Sequence, residues 1–290
     1  MRTAFTLIEL LVVVAVIAIL IALVVPAAAS ARDMAQAAAG TSNLRQLGIG
    51  LELYREDYSR ELPQARWSDG LGDLARDVDG PCVLSGGSFV TSAGDPCGNN
   101  IGALFGGTRG TLSLGGFEFG VSTVGADERP LNPYVVDTPL TEPDLPIPIF
   151  EDPADVGMPE PPEFIALFGN DTSSTYRLLG SSYNLNDHAL DDNPNGDDVP
   201  TLVPEAGGAS PPIANPSLTW VIGSHPIYNF DDAGDRGQRW VFGRVSATLV
   251  YADGHARTAV DVPEGIVDTT RDYTFLPTPG WRDDVDAGGE

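Results

Sequence analysis

Glu9 is the residue whose position alone most clearly implies chemistry. It is the one ionisable group in residues 5–25, a run of 21 in which only Thr6 and Glu9 are polar. About 20 apolar residues in a helix span the hydrocarbon core of a bilayer, so this run is long enough to cross it. A carboxylate in hydrocarbon is costly and usually marks a function. It must take up a proton or meet a positive partner. The chemistry open to Glu9 is therefore ion pairing in a dry, low-dielectric setting.

The other candidates are acidic. Asp191, Asn193, Asn195 and Asp197 alternate in the run Asp191-Asp192-Asn193-Pro194-Asn195-Gly196-Asp197-Asp198, with Gly196 where a calcium loop makes its sharp turn. The twelfth position is Leu202 in place of a bidentate Glu, so this is not an EF-hand. A looser calcium loop and a solvated acidic turn are the two readings. Asp231, Asp232 and Asp235 form a weaker cluster. His188, His225 and His255 are not spaced as zinc ligands. No Gly-x-Ser-x-Gly elbow, Cys-x-x-Cys or Gly-rich dinucleotide turn is present. All 16 basic residues are Arg, which removes every lysine-dependent mechanism. Cys82 and Cys97 sit in a loop-like stretch between Pro and Gly. Outside the cytoplasm they favour a disulfide closing a loop of about 15 residues, worth roughly 3 kcal/mol. Two free thiols are the alternative.

The net charge of −25 over 290 residues excludes nucleic acid as a partner and disfavours anionic lipid. Divalent cations are the natural counter-ligands of such a surface.

One long helix must position Glu9. The apolar run exceeds the 7–15 residues of a signal-peptide core, although Ala27-Ala28-Ala29-Ser30-Ala31 imitates a cleavage site. A plain single-pass anchor explains the hydrophobicity but leaves Glu9 without a reason. Pro26 removes a helical hydrogen bond and is expected to kink the axis, because the helical pattern resumes at once. Leu44, Leu47, Leu51, Tyr54 and Tyr58 recur at spacings of three and four, a single apolar stripe. Gly48 and Gly50 cost helix stability there. Pro63 is expected to stop the helix. The first half is apolar all round and the second on one side, as in a helix whose upper half packs on a head.

The remaining residues, about 230, suffice for a head of one large domain or two small ones. Residues 67–110 read as irregular. Gly115-Gly116 between two short apolar runs, residues 111–114 and 117–121, predicts a hairpin. The Pro-rich acidic run 137–162 is expected to be surface loop. Residues 217–223 read as a strand with Trp220 and Ile222 on one face. Residues 240–252 read as the strongest strand, with Asp253-Gly254 turning it into a returning strand over 255–260; both turn positions favour positive φ. Beyond Pro263 the pattern is loop-like.

The stretch Ala4-Phe5-Thr6-Leu7-Ile8-Glu9-Leu10 resembles the processing site of type IV pilins and type II secretion pseudopilins. That resemblance implies a leader, residues 1–4, cut between Ala4 and Phe5, with methylation of the new Phe5 amine. The family normally has Gly before the cut; this chain has Ala4. Three later elements resemble a large pilin-like family abundant in planctomycete-type bacteria: Phe150 with Pro153 and Asp155, then Ser181-Ser182-Tyr183-Asn184-Leu185-Asn186, then Ala252-Asp253-Gly254-His255. A His ten residues before that Asp, found in one subgroup, is replaced by Gly243.

The expected fold is α+β, a long N-terminal transmembrane and assembly helix packed against an antiparallel β-sheet head, with long irregular loops. The expected division is 1–4 leader, 5–25 membrane half, 26–62 amphipathic half, 63–290 extracytoplasmic head. The resemblance implies a structural, non-enzymatic subunit in the inner membrane with its head outside the cytoplasm. Prepilin peptidase, an inner-membrane assembly platform and other subunits are its implied partners. The destination is a periplasmic pseudopilus or a surface filament, where Glu9 of one subunit meets Phe5 of the next. No cofactor is expected apart from the calcium just described. Two alternatives from other classes are a non-assembling anchored binding domain, for calcium or a glycan, and an anchored hydrolase using His255 and nearby Asp residues.

Overall fold

The computed structural model describes residues 7–63, 83–85, 88–90, 102–114, 117–118, 120–159, 161, 163–186, 202, 209–228, 237–263 and 269–278. Helix α1, Leu7–Asp57, is 51 residues long. At 1.5 Å per residue this is about 77 Å of helix. It runs on through Pro26. Alanine density after Pro26, at Ala27, Ala28, Ala29 and Ala31, favours that continuity.

The helix ends before Pro63 is reached. Ser59 and Arg60 adopt φ of 53° and 73°, and the Arg60 N–H donates to the Arg55 carbonyl at 2.7 Å. This is a left-handed C-terminal cap made without glycine. The expected stop at Pro63 is thus pre-empted by backbone geometry at Ser59 and Arg60, four and three residues before it.

The head opens with two small hairpins. Strands β1, Val83–Ser85, and β2, Ser88–Val90, pair antiparallel. Strands β3, Ser113–Leu114, and β4, Phe117–Glu118, pair with Leu114 opposite Phe117. Residues 113–114 and 117–118 therefore pair as the expected hairpin requires. Val121, expected in its second strand, lies instead in the short helix α2, Gly120–Thr123. Helices α3, Asn132–Val135, α4, Glu163–Leu167, and α5, Thr175–Leu179, follow.

The main sheet is formed by β5, Tyr183–Leu185, β6, Trp220–Ser224, β7, Ser246–Tyr251, and β8, Ala256–Asp261. They lie in that order, all antiparallel. The class is α+β, a long helix on a four-stranded sheet. On β6, Trp220 faces Tyr251 and Ile222 faces Val250, so two β6 residues oppose one β7 residue. This bulge breaks the period of two. Ile222 joins Leu44, Leu47 and Val250 on the helix side, while Trp220 joins Leu249, Tyr273 and Phe275 on the other. The expectation that Trp220 and Ile222 share a face fails for that reason.

The long strand expected over 240–252 is also shorter. Residues 241–244 form a tight turn, with Val241 bridged to Arg244, and β7 begins at Ser246. At the far end of β7 only Gly254 is left-handed, at φ 84°. The Gly254 N–H donates to Tyr251 O and the Tyr251 N–H to His255 O. That is a type I-like turn closed by a glycine, which needs one positive φ and not two.

Three layers result. The stripe of α1 covers one sheet face, and residues 269–278 cover the other. Trp220 and Phe275 meet edge-on at 5.0 Å and 87°. Tyr273, Phe275 and Leu276 are buried, although that segment reads as loop. The Pro-rich run also turns inward: Ile147, Phe150, Ala154 and Met158 are all buried. Proline forbids strands and long helices but does not forbid burial.

Candidate functional site

The candidate site is α1 itself, with the seam that fixes the head on it. Residues 7–32 of α1 are exposed throughout, with Leu7 at 79% and Ile17 at 49%. The helix has a mean hydropathy of 3.3 in its most apolar window, long and apolar enough to cross a membrane. Glu9 lies on this bare stretch, in the first turns of the described helix. Pro26 sits just past the apolar run, within continuous helix. Ala4 and Phe5 lie outside the described residues.

Burial begins at Ala37 and follows Gly40, Leu44, Leu47, Leu51 and Tyr54 at spacings of three and four. The predicted stripe is the seam. Tyr58 extends it by stacking on Tyr54 at 4.4 Å, and Tyr134 meets Tyr54 edge-on at 5.5 Å. The Tyr134 hydroxyl donates to Asp57 Oδ2 at 2.8 Å. Gly48 and Gly50, costly in a lone helix, mark the closest approaches. A Cβ on Gly48 would lie 3.0 Å from Val250 Cγ1, and one on Gly50 would collide with Val135 Cγ1. Their helix penalty of about 1 kcal/mol each is offset by close packing of the α1 backbone, at Gly48 on Val250 of the sheet and at Gly50 on Val135 of α3.

Lower on the seam, α1 meets the Pro-rich run. Gln36 Nε2 donates to Pro153 O at 2.7 Å and Asn43 Nδ2 to Glu151 O at 3.1 Å. Between them Asp152 is 3% exposed, with Oδ2 3.0 Å from where a Gly40 Cβ would lie. Its Oδ1 accepts the Ala154 N–H at 2.8 Å. Burial pushes the Asp152 carboxyl up to about 6; the Ala154 N–H opposes this, and the nearby Asp155 charge adds to it. The folded pKa therefore exceeds the unfolded value of 3.8. The stabilising contribution of the protonated form is complete below about 4 and lost as pH rises through 6, leaving a cost of roughly 3 kcal/mol at neutral pH. Asp152→Asn is expected to raise stability at pH 7.5 by about 1–3 kcal/mol and to change little at pH 4. Denaturant unfolding at both pH values checks this; an equal effect at the two would sink it.

Asp155 does different work. Its carboxylate accepts from the N–H groups of Gly157, Thr175 and Tyr176 at 2.7, 3.0 and 2.8 Å, and from Ser182 Oγ at 2.7 Å. It caps the start of α5 and ties it to β5. Ser182 N–H also donates to Phe150 O at 2.9 Å. The two sequence elements around Phe150 and Ser182 are thus one structural unit in space.

A polar hub that the sequence did not signal lies at Arg129, which is 1% exposed. Its guanidinium donates to Gly106 O at 2.8 Å, Leu179 O at 3.2 Å and Val121 O at 3.4 Å. Burial lowers its pKa to about 9, so it remains charged at neutral pH. Next to it Asn132 Nδ2 donates to Ala126 O at 2.6 Å and Gly107 O at 2.7 Å. Nothing in spacing or charge pattern distinguishes Arg129 from the chain's other arginines; only its neighbours do.

Both described histidines have side-chain partners. His225 Nδ1 lies 2.9 Å from Gln238 Oε1, and burial lowers its pKa. His255 meets Asp253 through Nδ1 and stacks flat on Tyr251 at 4.2 Å. No Ser or Cys nucleophile is hydrogen-bonded to either ring among the described residues. Nor, among those residues, does any group of three or more His, Cys, Asp or Glu stand ready for a metal. Asp191, Asn193, Asn195, Asp197, Cys82 and Cys97 all lie outside the described residues.

Residues 1–25 match the family model described as the prokaryotic N-terminal methylation motif. No curated protein and no solved structure matches the chain.

Proposed function

We propose, from the prepilin-type cleavage and methylation signature that residues 1–25 carry, that this chain is a structural subunit of a type IV pilus or a type II secretion pseudopilus. The motif and the apolar helix fit a single-pass membrane-anchored protein of the type IV pilin-like class. The observation that carries the finer reading is the division of α1. One half is bare and apolar on every side; the other is clamped to the head along a single stripe. A filament of parallel helices would bury the bare half while leaving the heads outside.

In this reading prepilin peptidase removes residues 1–4, the Phe5 amine is methylated, and the subunit waits in the inner membrane with its head outside the cytoplasm. An assembly platform then lifts it out. Helix packing replaces lipid contacts, and Glu9 pairs with the Phe5 amine of a neighbour. The work of the molecule is assembly and not catalysis. Mass spectrometry of the mature chain is expected to find it beginning at N-methylated Phe5. A membrane-resident chain that retains Met1 through Ala4 would overturn the reading in favour of a plain anchored domain.

A further inference from the structure

Residues 241–244 form a tight turn with a bulky residue at positive φ. Phe242 and Gly243 occupy its two central positions at φ 54° and 66°, and Val241 is bridged to Arg244. Such a turn favours Asn-Gly, and a bulky aromatic in the left-handed region is an outlier that points to function. Phe242 is also 43% exposed. Its ring therefore does not hold the core together.

The place of this turn follows from the seam. Val250 of β7 lies against Gly48 of α1. At about 3.3 Å per strand residue and 1.5 Å per helix residue, the six residues back to Arg244 match about 13 residues of helix, from Gly48 down to about position 35. Trp240 and Val241 do pack with Ala37, the lowest buried residue of α1. Among the described residues this turn lies with Ala37 at the low end of the seam, an edge toward the apolar run. Trp240 Nε1 donates to Gly157 O at 3.0 Å, which brings Val156, 54% exposed, to the same edge. Met34 of α1 is exposed just below.

We propose that this edge rests on the phospholipid headgroup layer, with Phe242 inserted and Val156 beside it. The proposal relies on α1 being a membrane anchor. Ala37 is about 18 Å of helix beyond Val25, of which the headgroup layer takes about 6 Å. A tilt of about 20° and the reach of the turn with its ring cover the rest. Aromatic rings favour this depth. Exposed Arg239 and Arg244 flank the turn in sequence and exposed Arg32 lies on α1 five residues before Ala37, opposed by Asp33, by Asp155 beside Val156 and by Asp261, 3.4 Å from Arg244. Arginines at this level suit lipid phosphates.

The test uses the full chain in phosphatidylcholine vesicles, with acyl chains plain or brominated near the headgroup. Phe242→Trp adds an emitter at the turn, Val156→Trp a second at the same edge, and Leu53→Trp a control about 42 Å of helix beyond Val25. Brominated lipid is expected to remove about half of the emission added at 242 or 156 and almost none of that added at 53. If Phe242→Trp fails to fold, Val156→Trp decides alone. Unquenched emission at both, or equal quenching at 53, overturns the proposal. So does emission at 242 that depends on protein-to-lipid ratio and not on bromine, which would make the edge an interface between copies. Alkaline carbonate extraction of the same vesicles separates the two levels: release of the chain defeats the anchor itself, whereas retention without quenching defeats only the lipid-facing edge.

Discussion

Glu9→Ala is expected to leave the chain in the membrane and keep it out of the filament. The substitution removes the one carboxylate from residues 5–25, so insertion becomes easier, by less than the roughly 3 kcal/mol a charge costs at the helix centre. Assembly responds in the opposite direction. In the proposed filament the Glu9 carboxylate of one subunit neutralises the Phe5 amine of the next. Taking away one member of a buried pair strands the other charge, at a cost of about 3–5 kcal/mol. A loss of that size per interface is at least a hundredfold in association, and it repeats at every subunit. Glu9→Gln retains shape without charge and should also fail. Membrane fractionation and the yield of sheared filaments read the two effects separately. Normal incorporation of Glu9→Ala would end the proposed role of that carboxylate.

Arg129→Met is expected to have the largest effect on the head. The guanidinium links Gly106, Val121 and Leu179 through their carbonyls, so one side chain joins the residue 102–110 loop, α2 and the end of α5. Methionine fills much of the volume but supplies no donor. Each carbonyl left buried and unsatisfied costs about 1–3 kcal/mol, so a total of about 3–5 kcal/mol follows after relaxation. That is a large part of a domain's usual stability of about 5–15 kcal/mol. Lysine keeps the charge yet reaches fewer carbonyls, so Arg129→Lys should recover less than half of the loss. Denaturant titration in detergent measures the series. A methionine variant within about 1 kcal/mol of the parent would show that the hub is dispensable.

Legibility differed sharply between the two halves of the molecule. In α1 the stripe Leu44, Leu47, Leu51, Tyr54 was readable because helical burial follows a fixed period. In the head the Gly115-Gly116 hairpin and the β7–β8 pair were readable for a related reason: short-range turns are encoded by the residues within them. Two of the misreadings involve long-range partners. Trp220 and Ile222 were assigned to one face because a strand alternates, and the bulge that separates them is defined by the register with β7. Residues 240–245 read as the start of the strand, yet Trp240 and Val241 pack on Ala37 and residues 241–244 turn. Asp152 and Asp155, three positions apart in one acidic loop, are alike in sequence. One became a desolvated carboxyl against Gly40, the other the acceptor that starts α5.

The sequence by itself determined the presence of a long helix, where along it apolar residues change from all faces to one, and which acid lies in the bare half. These are properties of local period and composition, and every helix of this sequence would have them. Only the tertiary structure decided what the second half grips, why Gly48 and Gly50 are tolerated, and which of many polar residues are buried. The physical reason is that burial, desolvation and register are set by what a residue meets across space, and those partners lie tens to hundreds of residues away in the chain.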